Sequence, residues 1–136
     1  KCVLNFETHA LAMKFSILIP YRNREVIRVK RCIDSLAKQS YQNFDLWFID
    51  YGSEPDFAKE VEEVCREYSF ANYVYNDTRG WFWSGSHSRN TGIRLAKGEY
   101  IVTVDVDMIY PPNFLEVINQ QVEKDKLIHY RWFEHH

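Results

Sequence analysis

At 136 residues the chain suits one compact domain, 1–136, long enough to bury a core and short for a complete two-substrate enzyme. Hydrophobic residues at 46% and charged ones at 26% are those of a soluble globular protein, and a net charge of −2 offers no basic surface for nucleic acid. No apolar run approaches the roughly 20 residues that cross a bilayer, so no transmembrane segment is expected. The first residues lack a basic-then-apolar leader. Cys2, Cys32 and Cys65 form no Cys-x-x-Cys pair. The expectation is therefore a cytoplasmic domain, or one peripheral at the inner face of a membrane, without a zinc site.

Residues 1–13 show no clean periodicity, and the core is expected to begin at about 14. Phe15-Ser16-Ile17-Leu18-Ile19 is the first clear strand, stopped by Pro20. Val29, Cys32, Ile33 and Leu36 then form one face of a 3.6-residue repeat, with Lys30, Arg31 and Lys38 off the stripe. Phe44 to Asp50 reads as a second strand, and Tyr51-Gly52-Ser53 turns it into a helix with Pro55 near its first position. Phe57, Val61, Val64, Cys65 and Tyr68 make that helix's buried stripe, while its acidic run is an outer face. Asn72-Tyr73-Val74-Tyr75 is a short third strand. A third helix is expected over about 88–97, closed by Gly98 in the left-handed cap position.

The fourth strand, from Lys97 through the β-branched run Ile101, Val102 and Val104 to Asp105-Val106-Asp107, has the pattern of a central strand buried on both faces. Past Pro111-Pro112, Phe114, Leu115, Ile118 and Val122 suggest a fourth helix, and Leu127 begins a possible further strand. Strands alternating with helices predict a mostly parallel α/β sheet covered on both faces. In such sheets ligands bind at the carboxyl ends of the strands. Four loops converge there, at 20–24, 50–53, 76–86 and 105–107.

Side chains two apart on a strand share a face, so Asp105 and Asp107 point the same way, and their mutual repulsion is relieved by a divalent cation with oxygen ligands. Mg²⁺ or Mn²⁺ with a substrate diphosphate completing its shell fits such a pair; the alternative is two acids in a solvated turn. Arg22 and Arg24 follow a strand end, where guanidinium forks suit phosphate oxygens, and Pro20 fixes the backbone before them. Otherwise they are solvent-facing charges at a helix start. Asp50 is either an acceptor for a base or ribose or the cap of the Tyr51-Gly52-Ser53 turn. Arg89 and Asn90 either touch nucleotide or cap a helix. Trp81-Phe82-Trp83, between Gly80 and Gly85, is either a mobile stacking platform for a base or sugar face or a hydrophobic plug. His87 and His129 read as structural, and the terminal His135 and His136 are set aside.

Together Ser16-Ile17-Leu18-Ile19-Pro20, Phe48-Ile49-Asp50-Tyr51-Gly52-Ser53, Arg89-Asn90-Thr91-Gly92-Ile93, Gly98-Glu99-Tyr100-Ile101 and Asp105-Val106-Asp107 resemble the inverting glycosyltransferases of family 2. Pro20-Tyr21-Arg22-Asn23-Arg24 and the Asp-Val-Asp element are similar to the nucleotide-binding half of β-1,4-galactosyltransferases and bacterial capsule or polysaccharide transferases. The resemblance implies a GT-A, Rossmann-like fold truncated at its C-terminus, a nucleoside-diphosphate sugar donor (a UDP-sugar), a glycan or other hydroxyl acceptor, and Mn²⁺ or Mg²⁺. Carried onto this chain, it places Pro20, Tyr21, Arg22, Arg24, Asp50, Arg89 and Asp105 at the donor and Asp107, with Asp105, at the metal. Tyr51 stands where the family often has a second acid. The catalytic base is expected beyond this chain. Competing readings are a nucleotide-sugar-binding module without catalysis and a metal-dependent phosphohydrolase with Asp105 as nucleophile. A nicotinamide oxidoreductase is disfavoured, because no Gly-x-Gly-x-x-Gly turn follows the first strand.

Overall fold

The computed structural model describes residues 14–129. Strands β1 (Phe15–Tyr21), β2 (Phe44–Tyr51), β3 (Ala71–Asn76) and β4 (Tyr100–Thr103) alternate with helices α1 (Val26–Ala37), α2 (Pro55–Arg66) and α3 (Gly85–Leu95), and α4 (Phe114–Gln121) follows β4. The strands pair in parallel in the order β3-β2-β1-β4. The expected α/β sheet is thus present. Of the strand expected from Leu127, residues 127–129 carry no regular structure, and the remainder lies outside the described residues, as do 1–13.

Alternation along β1 divides the molecule into two layers. Phe15, Ile17, Ile19 and Tyr21 join Leu46 and Phe48 of β2 against the predicted stripe of α1 and against Val61, Val64 and Cys65 of α2. Leu18 and Ile49 point to the other face, where Gly92 lets α3 approach: a methyl there would sit 3.0 Å from Leu18. Leu115 and Ile118 of α4 complete the first layer together with Val104, Val106 and Tyr110.

Three local expectations are corrected. Pro20 does not stop β1; it pairs with Ile49, two residues beyond Leu18, the last β1 residue in register with β4. Leu18 accepts from the Val104 N–H, and residues two apart point to the same side, so the N–H that Pro20 lacks faces a place where β4 has already ended. Gly98 is not a left-handed cap; α3 ends at Leu95, and the glycines with positive φ are Gly52 and Gly80. Gly98 instead lies against β1, where a Cβ would come 2.4 Å from the Ser16 nitrogen, and its N–H donates to Ser16 Oγ at 2.8 Å. Lastly, β4 is neither central nor buried on both faces. It ends at Thr103, alternates half-buried with exposed residues, and among the described residues pairs only with β1. Its β-branched run resembles that of β1, but burial follows from neighbours on both sides, which composition does not specify.

Candidate functional site

The chain runs from β1 outward to β2 and β3, then returns past β1 to lay down β4, so the order of strands reverses between β1 and β4. Side chains beyond the carboxyl ends of two such strands diverge and leave a crevice. A cavity of about 660 Å³ opens there, lined by Pro20, Tyr21, Arg22, Asn23, Arg24, Trp83, Gly85, Arg89, Asp105, Val106, Asp107 and Met108. Seven of the eight residues singled out from the sequence therefore meet in one place.

The β1 rim is held by one local bond and by bonds to the loops after β2 and β3. Tyr21 donates through its hydroxyl to the Arg24 carbonyl at 2.7 Å, turning the chain back after the strand. Asn23 takes a left-handed conformation (φ 47°), which asparagine tolerates well; its N–H donates to Ser53 Oγ and its side-chain oxygen accepts from the Glu54 N–H. The arginines on either side are left facing the cavity mouth, just before a helix whose N-terminus has no side-chain cap. Arg22 Nη1 donates to the Trp81 carbonyl at 2.7 Å and so ties the aromatic loop to this rim.

The opposite rim continues the alternation of β4 beyond its last ladder bond. Val104 and Val106 are buried in the core, and Asp105 and Asp107 face solvent, as two-residue periodicity requires. This segment is positioned from a distance. Tyr110 Oη accepts from the Asp105 N–H and donates to the Asp105 carbonyl, each at 3.1 Å, while Cys32 Sγ donates to the same carbonyl at 3.7 Å. Ser35 of α1 and Gln39, just past its C-terminus, hold the backbone of Tyr110 and Pro111. Burial pushes the Cys32 thiol up to about 12, and the charges of Asp107 and then Asp105 add to the shift, so both carboxylates act on one spot. Sequence reading missed Ser35, Gln39 and Tyr110; helical periodicity gives no signal for them, since Gln39 lies past the end of α1 and Tyr110 lies in a loop.

Arg89, from the first turns of α3, places Nη2 3.8 Å from Asp105 Oδ1, an exposed and loose ion pair of small energetic weight. Asp50 is placed differently from expectation. It is fully buried and does not line the cavity; its oxygens accept from the Ser53 N–H at 2.8 Å and the Tyr73 hydroxyl at 2.7 Å. The turn-capping alternative describes this geometry, because Asp50 falls on the layer of α2 while its neighbour Tyr51 falls on that of α3. Tyr51 is buried too, with its hydroxyl 2.9 Å from His87 Nδ1, and its ring stands perpendicular to that of Trp83 with centroids 5.7 Å apart. His129 lies outside the cavity, lining a smaller neighbouring one of about 270 Å³ that shares Arg89 and Asp105.

Among the described residues no three His, Cys, Asp or Glu side chains form a metal-binding group. Two exposed carboxylates on one wall, with no soft ligand offered by the shielded Cys32 thiol, fit a hard cation such as Mg²⁺ or Mn²⁺ that takes its remaining oxygens from phosphate and water.

Residues 16–133 match the family model described as glycosyl transferase family 2. Among curated relatives, the glycosyltransferase GlyG of Streptococcus pneumoniae is 32% identical over 111 residues, covering 81% of this chain and 36% of that protein. The amylovoran biosynthesis glycosyltransferase AmsB of Erwinia amylovora is 37% identical over 98 residues, covering 70% of this chain and 31% of its own length. The chain thus spans about a third of the length of these relatives. The crystal structure of S. aureus TarS in complex with UDP-GlcNAc superposes with a TM-score of 0.65 at 25% identity, over 79% of this chain and 30% of that one. A parallel sheet of this order, a crevice at its reversal and a family match across nearly all of the described residues agree: the chain belongs to glycosyl transferase family 2 and has the GT-A fold.

Proposed function

We propose that the cavity between β1 and β4 binds a nucleoside-diphosphate sugar, with uridine as its nucleoside, and that the domain serves metal-dependent, inverting transfer of that sugar to a hydroxyl of a saccharide or similar acceptor. The observation that carries this reading is the meeting of Arg22, Arg24 and Arg89 with Asp105 and Asp107 in one crevice. Guanidinium groups suit the non-bridging oxygens of a diphosphate, and paired carboxylates suit the cation that accompanies one. The UDP-GlcNAc held by TarS, at 25% identity, favours a uridine donor.

In this reading Pro20, Tyr21, Arg22 and Arg24 border the nucleotide, Asp105 lies toward the ribose and donor sugar, and Asp107 ligates the metal. When bound, Mn²⁺ or Mg²⁺ supplies positive charge that offsets the charge building on the leaving diphosphate. The acceptor oxygen forms its bond to the anomeric carbon on the face opposite the departing phosphate oxygen, which keeps the electron pair. The hydroxyl proton passes to a base that none of the residues lining this cavity is assigned to be. The direct test is thermal stabilisation by UDP with Mn²⁺. A clear rise in melting temperature is expected for the parent chain, with none for Asp107→Ala at unchanged ligand-free stability. Absence of a shift with any nucleoside diphosphate in the parent overturns the proposal.

A further inference from the structure

The loop that carries Asp105 and Asp107 leaves the sheet at Val104, whose N–H donates to the Leu18 carbonyl at 3.0 Å, and returns to the helix layer at Pro111-Pro112. Two prolines in succession bring no N–H to that second anchor, so their carbonyls are the only backbone groups that can hold it. Both are taken. The Pro111 carbonyl accepts from Gln39 Nε2 at 2.7 Å as well as from the Phe114 N–H at 3.0 Å, and the Pro112 carbonyl accepts from the Ser40 N–H at 2.8 Å. The carboxyl end of a helix such as α1 presents unpaired carbonyls and has no N–H to spare. A side-chain amide just past Ala37 gives this acceptor-rich end the hydrogen-bond donor that the proline pair requires.

Gln39 is 3% exposed, and both ends of its amide are engaged. Nε2 also donates to the Ser35 carbonyl at 3.2 Å, and Oε1 accepts from the Leu115 N–H at 2.9 Å. The second of these caps α4, whose own N-cap residue, Asn113, makes no side-chain cap bond. One amide thus ties together the last turn of α1, the returning end of the carboxylate loop and the first turn of α4. Its backbone is fixed as well: the N–H donates to the Leu36 carbonyl at 3.2 Å, and the carbonyl accepts from Gln42 Nε2. One residue before Pro111, the Tyr110 N–H donates to Ser35 Oγ, and the Tyr110 hydroxyl spans the N–H and carbonyl of Asp105. A hydrogen-bonded path therefore leads from Gln39 to the residue that faces the cavity. No other side chain of this size serves both ends. An ionised glutamate caps Leu115 but sets an oxygen against the carbonyls of Ser35 and Pro111, and a leucine leaves all three backbone groups without this partner.

We propose that Gln39 is a positioning residue for the metal-binding carboxylates: by fixing Pro111 it sets where the loop ends, and so where Asp105 and Asp107 stand opposite the arginines of the β1 rim. This rests on the sugar-nucleotide reading above and adds which buried group makes the two carboxylates a cation site. Groups that orient metal ligands without touching the ion commonly hold tenfold or more of its affinity. The test uses the whole chain, with UDP and Mn²⁺ as probes and Val29→Ala as control, since Val29 is fully buried on the same helix and its side chain bonds to no part of the loop. Gln39→Leu is expected to raise the Mn²⁺ concentration that half-saturates the UDP complex about tenfold, with UDP affinity at saturating Mn²⁺ within about twofold of the parent. Val29→Ala is expected to lower the unfolding midpoint while leaving both quantities within about twofold. Gln39→Glu, which keeps the α4 cap and loses the Pro111 bond, is expected to follow Gln39→Leu, and it supplies the same comparison where Gln39→Leu does not fold. In the metal-free chain, amide exchange at Asp105 and Tyr110 is expected to quicken about tenfold in the Gln39 variants and to stay near the parent rate in Val29→Ala. Three outcomes overturn the inference alone: a parent-like Mn²⁺ midpoint in the Gln39 variants, an equal shift in Val29→Ala, or unchanged exchange at Asp105 and Tyr110. A parent chain that binds no UDP with Mn²⁺ overturns the sugar-nucleotide reading itself, and the exchange rates then still decide whether Gln39 holds the loop.

Discussion

β1 and β4 are neighbours built from the same kind of residue, each leading into one rim of the cavity, yet they stand very differently in the molecule. All seven residues of β1 are buried and it is bonded on both sides. β4 has four residues, of which Ile101 is 42% exposed. The rims differ in the opposite sense. The rim after β1 is tied by its own Tyr21–Arg24 bond and to the neighbouring loops at the same sheet edge, through Ser53, Glu54 and Trp81. The rim after β4 is held by the side chain of Tyr110 and by residues of α1 more than seventy positions away. The loop after a strand secure in the core is tied to its neighbours along the same sheet edge, whereas the loop after the short edge strand is gripped from the helix layer.

The largest expected effect lies on the layer behind β1. Burial pushes the Cys65 thiol and the Tyr21 hydroxyl up to about 12, from ordinary values of 9.0 and 10.0. Since the folded chain holds these protons more tightly than the unfolded one, their contribution is complete below about pH 9 and is lost as pH climbs toward 12. Urea midpoints measured from pH 7 to 11 should stay level and then fall steeply, and Cys65→Ala should make the fall shallower; a midpoint flat to pH 11 would contradict the buried placement. Next, Ile17→Ala in the centre of β1 should cost about 2–5 kcal/mol by urea unfolding, as a large-to-small change at a fully buried site.

Tyr110→Phe sharpens the contrast between the rims. It leaves the ring packed on Phe114 but removes the hydroxyl that serves both the N–H and the carbonyl of Asp105. A loss of about 1–3 kcal/mol is expected, with weaker Mn²⁺-dependent UDP binding, since Asp105 is then less firmly placed. Titrations in which UDP affinity stays at the parent value would show that the β4 rim holds itself. The smallest effect is expected for Ile101→Ala on the exposed side of β4, within about 1 kcal/mol in the same unfolding assay. A cost equal to that of Ile17→Ala would remove the distinction between the two strands.

Much of this was legible in the residues. The stripe Val29, Cys32, Ile33 and Leu36 is fully buried as read, because helical periodicity is local and the sheet needs one apolar face from each helix. Pro55 opens α2, and Val104 and Val106 turn inward while Asp105 and Asp107 turn out, for equally local reasons. The convergence of Arg22, Arg24, Arg89, Asp105 and Asp107 followed from topology, since parallel strands end on the same edge. Gly98 was misread as a helix cap, and of the two readings of Asp50, donor contact and turn cap, the geometry shows the cap. Asp50 is spent on Ser53 and Tyr73, and Gly98 is needed for contact with Ser16. The Ser53 bond is local, but Tyr73 and Ser16 lie on other strands, Ser16 82 positions from Gly98, where no periodicity reaches.

The sequence by itself determined the alternating elements, the parallel sheet, the family and the identity of the charged residues at the strand ends, because each depends on intervals of two to four residues or on motifs carried whole. Only the tertiary structure decided that β4 takes an outer place, that Asp50 turns away from the cavity, and that Trp83, not Trp81 or Phe82, faces into it. Those outcomes depend on which distant groups satisfy a carboxylate or cover a ring, and packing settles that after the local pattern has been exhausted.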